Sequence, residues 1–131
     1  MRTPSPGSRW SRERITRRAL YDSYMNSKAW RDKRRAWYAR WLTLMGTPPR
    51  CLVCGRGWTL RTGQLHHLTY MRLGAEEPED LPPLCAADHA KLHELFDSCA
   101  TWRRLGRSAA TAGIIAVLRR RHPARASGLA S

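Results

Sequence analysis

Two stretches, Leu65-His66-His67-Leu68-Thr69-Tyr70 and Leu84-Cys85-Ala86-Ala87-Asp88-His89-Ala90-Lys91-Leu92-His93, carry four of the chain's five histidines. The first reads as the second strand of a β-hairpin, with Trp58 to Thr62 as its partner and Gly63-Gln64 as the turn. The second opens a helix running from near Ala86 to near Asp97, on which His89 and His93, four residues apart, share one face. Upstream, Cys51-Leu52-Val53-Cys54-Gly55 has the form of a metal-binding knuckle, and a loop from Gly74 to Pro83 joins strand to helix. Knuckle, two strands, loop and helix make a small α+β module.

The cysteine spacing points to zinc. Cys51 and Cys54 form a C-x2-C pair, and Cys85 follows at the expected start of the helix. A tight turn brings such thiolates to about 2.3 Å from one tetrahedral centre. Asp88, where a fourth cysteine would complete a paired-knuckle site, is the preferred fourth ligand. Cys99 is its rival, but on a continuous helix it lies about 21 Å along the axis from Cys85. A water, His89, or no zinc at all are further alternatives. The histidines are a separate matter: one buried histidine usually means a satisfied hydrogen bond, whereas four that can converge from a strand and a helix suggest a second metal site. Adjacent side chains of a regular strand point to opposite faces. Either the strand bends at His66-His67, or the two histidines have different tasks.

Charge surrounds this module. The chain of 131 residues carries 24 basic and 10 acidic side chains, a formal +14. Residues 1–50 have a balance of +10, residues 51–98 of −3 and residues 99–131 of +7. Basic flanks of this density suit a polyanionic partner, held by charge neutralisation and counterion release, with nucleic acid foremost. Arms that are merely solvated are the alternative. Residues 1–19, rich in Arg, Ser and Pro, are expected to form a disordered basic tail. An amphipathic helix then runs from a cap at Asn26 or Ser27 to Gly46. Trp30, Trp37, Trp41 and Leu44 lie along its inner face, with Lys28, Arg31, Lys33, Arg34, Arg35 and Arg40 on the rest. The C-terminal extension, 99–131, reads as a short helix over 101–105, a break at Gly106, a helix from Ala109 to Arg121, and a frayed end from Pro123. Helix-turn-helix and basic helical cap are both open readings of it, the cap being preferred. Arg31, Arg34, Arg35, Arg40, Arg103, Arg104 and Arg107 are the candidate DNA contacts. No apolar run approaches the roughly 20 residues of a membrane span, and Met1 to Gly7 lacks the apolar run of a secretory signal. A cytoplasmic protein is expected.

Taken together, Cys51-x-x-Cys54-Gly55, the segment Leu65 to Tyr70, Gly74-x-Glu76, Asp80-Leu81-x-x-Leu84-Cys85 and His89-x-x-x-His93 resemble the HNH endonucleases, the ββα-metal nucleases. Upstream, Tyr21, Tyr24, Ser27, Trp30 and Arg34 are similar to the helix that precedes the motif in many phage and bacterial members. The resemblance spans about residues 20–97, so a nuclease domain over 20–98 is expected. It implies a metal-dependent DNA endonuclease in which His67 is the general base and His66 and His89 bind a divalent cation. His93 matches a further metal-binding histidine, and Asp80 the family's middle position, which organises the loop. Mg²⁺, Mn²⁺, Ni²⁺ or Zn²⁺ would serve at that centre, beside a structural Zn²⁺ on Cys51, Cys54, Cys85 and Asp88. Asp88 departs from the family pattern, which has a cysteine there. The resemblance also implies a phage or mobile-element context, with terminase or packaging proteins as partners and a monomer or dimer as the working form. A zinc-stabilised DNA-binding module without activity, or a nuclease that also acts on RNA, are the alternatives.

Overall fold

A computed structural model describes residues 6–123. In chain order it contains α1 (Pro6–Met25), α2 (Lys28–Met45), β1 (Gly63–Leu65), a 3-10 turn at Pro78–Asp80, β2 (Pro83–Cys85), α3 (Ala86–Ser98), α4 (Ala100–Arg104) and α5 (Arg107–Arg121). The architecture is α+β: mostly helix, with one small antiparallel sheet.

The expected hairpin does not form. β1 pairs instead with β2, Gly63 opposite Cys85, Gln64 opposite Leu84 and Leu65 opposite Pro83. Trp58, expected in a strand, folds back over the ribbon and donates from Nε1 to the carbonyl of Gln64 at 2.8 Å. Gly63 permits this, since a Cβ there would lie 2.2 Å from the Trp58 ring. Residues 59–62 close a turn on Gly63 N–H···O=C Thr59, 2.7 Å. Beyond β1 the pairing continues more loosely, from His66 N–H to Pro82 O at 3.1 Å and from Leu68 N–H to Asp80 O at 2.9 Å. Residues 63–68 therefore run as a ribbon beside 80–85, β1 and β2 at one end and the 3-10 turn at the other, with both adjacent histidines just past β1.

Two apolar clusters flank this ribbon. One contains Trp30 and Trp37 of α2 with Trp58, Leu65 and Leu81. Trp30 and Trp37 are thus core residues, with half-buried Trp41 packed against them. Ser27 caps the helix by accepting the Trp30 N–H at 3.1 Å, satisfying a donor that the first turn cannot. Leu44 departs from expectation: it is 68% exposed, because the cluster ends at Trp41 and the last turn of α2 runs past it. The other cluster joins Cys51, Val53, Leu84 and Leu92 to Ile114 and Leu118 of α5. Trp102 of α4 lies against Gly113, where a Cβ would meet the indole at 2.5 Å. Packed against α3 in this way, α4 and α5 form a cap.

Residues 6–19, expected within a disordered tail, are the first part of α1. Proline is tolerated in a first helical turn, where its missing N–H costs nothing, and the Arg, Ala and Leu that follow favour helix. Residues 16–20 of that helix are exposed, and Tyr21 and Tyr24 pack against Tyr70 and Trp30. Residues 1–5 and the expected frayed end over 124–131 lie outside the described residues.

Candidate metal centres

Among the described residues, two groups of donor side chains converge, each with its ligand atoms within 4.8 Å of one another. Cys51, Cys54, Cys85 and Asp88 form the first. The knuckle turn is built by Gly55 N–H to Cys51 O at 2.9 Å and Cys51 N–H to Arg56 O at 2.8 Å. Cys85 stands as N-cap of α3, which places Asp88 one turn inward. Sγ of Cys54 and Cys85 are 3.9 Å apart, and Oδ2 of Asp88 lies 3.3 Å from Cys51 Sγ and 3.1 Å from Cys85 Sγ. The edges of a zinc tetrahedron with bonds near 2.3 Å to sulfur and 2.0 Å to oxygen are about 3.8 Å and 3.5 Å. These three edges match such an ion to within a few tenths of an ångström, and all four donors lie within 4.8 Å of one another. Burial, with the neighbouring Asp88 and Cys51, pushes the Cys85 thiol up to about 12. A cation at the centre inverts that order, because a coordinating thiol gives up its proton. Cys99 lies outside this group, and Asp88 takes the fourth place.

His66, His89 and His93 form the second group. His66 Nδ1 is 3.3 Å from His89 Nε2, which is 3.0 Å from His93 Nε2. With metal–nitrogen bonds near 2.05 Å the expected separations are about 2.9 Å for octahedral and 3.3 Å for tetrahedral placement. A histidine set suits Zn²⁺, Ni²⁺ and their neighbours best. Burial, then the Arg107 cation and the other imidazoles, push His66 down to about 2. Burial, His93 and Arg107 push His89 down to about 4, and burial and Arg107 lower His93 too. All three shifts favour the neutral imidazole, the form that binds a metal.

His67 does not join them. The adjacent side chains diverge as a ribbon requires: His66 faces α3 and α5, while His67 faces α1 and α2. Its ring lies 5.0 Å from Trp30, 5.8 Å from Tyr70 and 6.1 Å from Tyr21, centroid to centroid. Nε2 of His67 lies 2.8 Å from Oε2 of Glu76, and both side chains are buried. Glu76 also accepts from the Tyr24 hydroxyl at 2.7 Å and from Gly74 N–H at 2.9 Å. Burial alone would raise the Glu76 carboxyl, but the bonds from His67, Tyr24 and the backbone outweigh it and hold the group below its ordinary value.

Asp80 sits in the loop rather than in either donor group. It accepts two hydrogen bonds from Arg72, one of them 2.7 Å from Nε, and one from Glu77 N–H at 2.9 Å. Of the arginines expected to touch DNA, several are occupied within the fold. Arg34 donates to the carbonyls of Leu60 and Gly63 at 2.7 and 3.0 Å. Arg107 donates to the His67 carbonyl at 2.6 Å and lies 4.2 Å over the Tyr70 ring. Arg103 donates to the carbonyls of Phe96 and Asp97, and Arg31 to that of Asn26. Arg31, Arg35, Arg40 and Arg104 are exposed.

Two site residues carry no role in the sequence reading. Glu76 enters the sequence reading only through the Gly74-x-Glu76 element of the resemblance, which gives it no task, and it stands among Glu77, Glu79 and Asp80. Thr111 left a signal: it is the hydroxyl on the stripe Thr111, Ile114, Leu118, an otherwise apolar face of α5. No known protein family, curated protein or solved structure matches the chain.

Proposed function

We propose that the protein is a divalent-metal-dependent DNA endonuclease of the HNH type. One observation carries this reading: a four-donor Cys/Asp group and a three-donor histidine group share α3, through Asp88 and through His89 and His93, and His67, next to His66 in sequence but turned to the opposite side, is held by a carboxylate. Four protein ligands are the mark of a structural site, and three leave room for substrate or water. His66, His89 and His93 would hold the cation, which would stabilise charge on the non-bridging and leaving oxygens of a phosphodiester. His67 would take the proton of the attacking water. With Nε2–H directed to Glu76, the basic nitrogen is Nδ1, and the carboxylate both orients the ring and balances the charge it gains. The exposed Arg31, Arg35, Arg40 and Arg104 would supply phosphate contacts, with α1 adding to the basic surface.

A second reading, a zinc-stabilised DNA-binding module without activity, is favoured by one feature: His67 is only 2% exposed. A plasmid-nicking assay with Mg²⁺, Mn²⁺, Ni²⁺, Co²⁺ and Zn²⁺, with an RNA substrate in parallel, separates the two. The nuclease reading expects nicking that falls about 10²- to 10⁴-fold in His67→Ala, the usual contribution of a general base, with DNA affinity unchanged. Wild-type protein that binds DNA and cuts with none of these ions would leave the binding module as the better account.

A further inference from the structure

We infer that Thr111 of α5 is a positioning residue of the three-histidine centre, fixing the tautomer of His66 so that Nδ1 is its ligating atom. The inference rests on the reading of that centre as a metal site, and it extends the site beyond the residues of the nuclease resemblance, which ends near residue 97.

The two nitrogens of His66 have different neighbours. Nδ1 faces His89 Nε2 at 3.3 Å, inside the donor group, whereas Nε2 lies 3.0 Å from Thr111 Oγ1. A neutral imidazole carries one proton, and a nitrogen that ligates must be the bare one. Ligation through Nδ1 therefore requires the proton on Nε2, and a buried N–H requires an acceptor. His66 and Thr111 are each 1% exposed, which excludes bulk water from that role, and the threonine hydroxyl meets it. Metal-bound histidines are commonly fixed through the other ring nitrogen in this way, and loss of such a partner typically weakens metal binding 10- to 100-fold. The placement of Thr111 is itself determined by packing. Ile114 and Leu118 seat α5 in the cluster that contains Leu92 of α3, and this orients residue 111 toward His66.

The test uses the full-length protein with its cysteine centre loaded with zinc. Ni²⁺ is then titrated calorimetrically into wild type, Thr111→Val, Thr111→Ser and His66→Ala. Thr111→Val keeps the shape and removes the acceptor, so its Kd should rise about 10- to 100-fold. Thr111→Ser retains the hydroxyl and should stay within about threefold of wild type, and bound zinc should be equal in all four. Equal Ni²⁺ affinity in wild type and Thr111→Val overturns the role of Thr111 while leaving the metal centre intact. Absence of Ni²⁺ binding in wild type, or binding undiminished in His66→Ala, overturns the centre and the inference together. Long-range ¹H–¹⁵N correlation of the His66 ring in wild type gives a readout that needs no variant. A proton on Nε2 is expected, and one on Nδ1 would falsify the assignment.

Discussion

At the scale of single residues, His66 and His67 show how one ribbon assigns opposite tasks to neighbours. The two side chains diverge, His66 toward His89 and His93 of α3 and His67 toward the aromatic wall of α1 and α2. That either the ribbon bends or the two histidines part company is legible in the sequence, because the period of a strand is two. The cysteine knuckle and the i, i+4 pair of histidines are equally legible, since their spacing is local. Glu76 is not: its partners Tyr24 and His67 lie 52 and 9 residues away, and no local period links them. Its importance can be measured without catalysis. In Glu76→Gln the amide cannot accept from two directions as the carboxylate does, so a buried donor loses its partner. Such a loss costs about 1–3 kcal/mol. Urea denaturation should show a lower midpoint with an unchanged slope, and a midpoint equal to wild type would mean that the His67–Glu76 contact contributes nothing to the fold.

At the scale of elements, α2, α3 and the C-terminal helices were readable, whereas the start of α1 and the strand pairing were not. Ser27 and Gly46 bound α2, and Cys85 starts α3, because caps are written in a few adjacent residues. The partner of β1 is set instead by Trp58, whose indole occupies the space above Gly63 and takes the Gln64 carbonyl. The same ribbon is pinned at its far end by Asp80, which ties Arg72 and the Glu77 N–H to the strand segment that receives Leu68. The Arg72 hydrogen bonds, against an opposing effect of burial, hold the Asp80 carboxyl down to about 2, from an ordinary 3.8. A carboxyl depressed by folding stabilises the protein above its unfolded pKa and ceases to do so as pH falls through the folded one. The contribution of Asp80 is therefore complete above about pH 4 and fades between there and about 2. Asp80→Asn should be less stable than wild type at pH 6, and the difference should narrow at pH 3. A gap that does not change with pH would show that the ion pair is irrelevant to stability.

For the whole molecule, the ribbon is a partition between two small cores, and each core serves one of its faces. Aromatic residues of α2 with Trp58 back the His67 side, while α3 and α5 back the cysteine and His66 side. Composition reveals the basic flanks but not that the C-terminal flank closes a core, since Ile114 and Leu118 look like an ordinary helical stripe until their partners are known. The cysteine centre is part of that core: Cys51 packs in the same apolar cluster as Ile114. A zinc ion bound there would contribute to folding directly, so metal and helix should be energetically coupled. Ile114 is fully buried, and Ile114→Ala should cost about 2–5 kcal/mol in zinc-loaded protein. Removing zinc with a strong chelator from wild type should also destabilise it. Because the two changes act on one cluster, their combined effect should differ from the sum by about 0.5–3 kcal/mol. The measurement is a four-way set of urea transitions, wild type and Ile114→Ala, with and without metal. Strict additivity would mean that the cysteine centre and the C-terminal helix stabilise the molecule independently, and the closure of this core by α5 would then have no bearing on how the zinc is held.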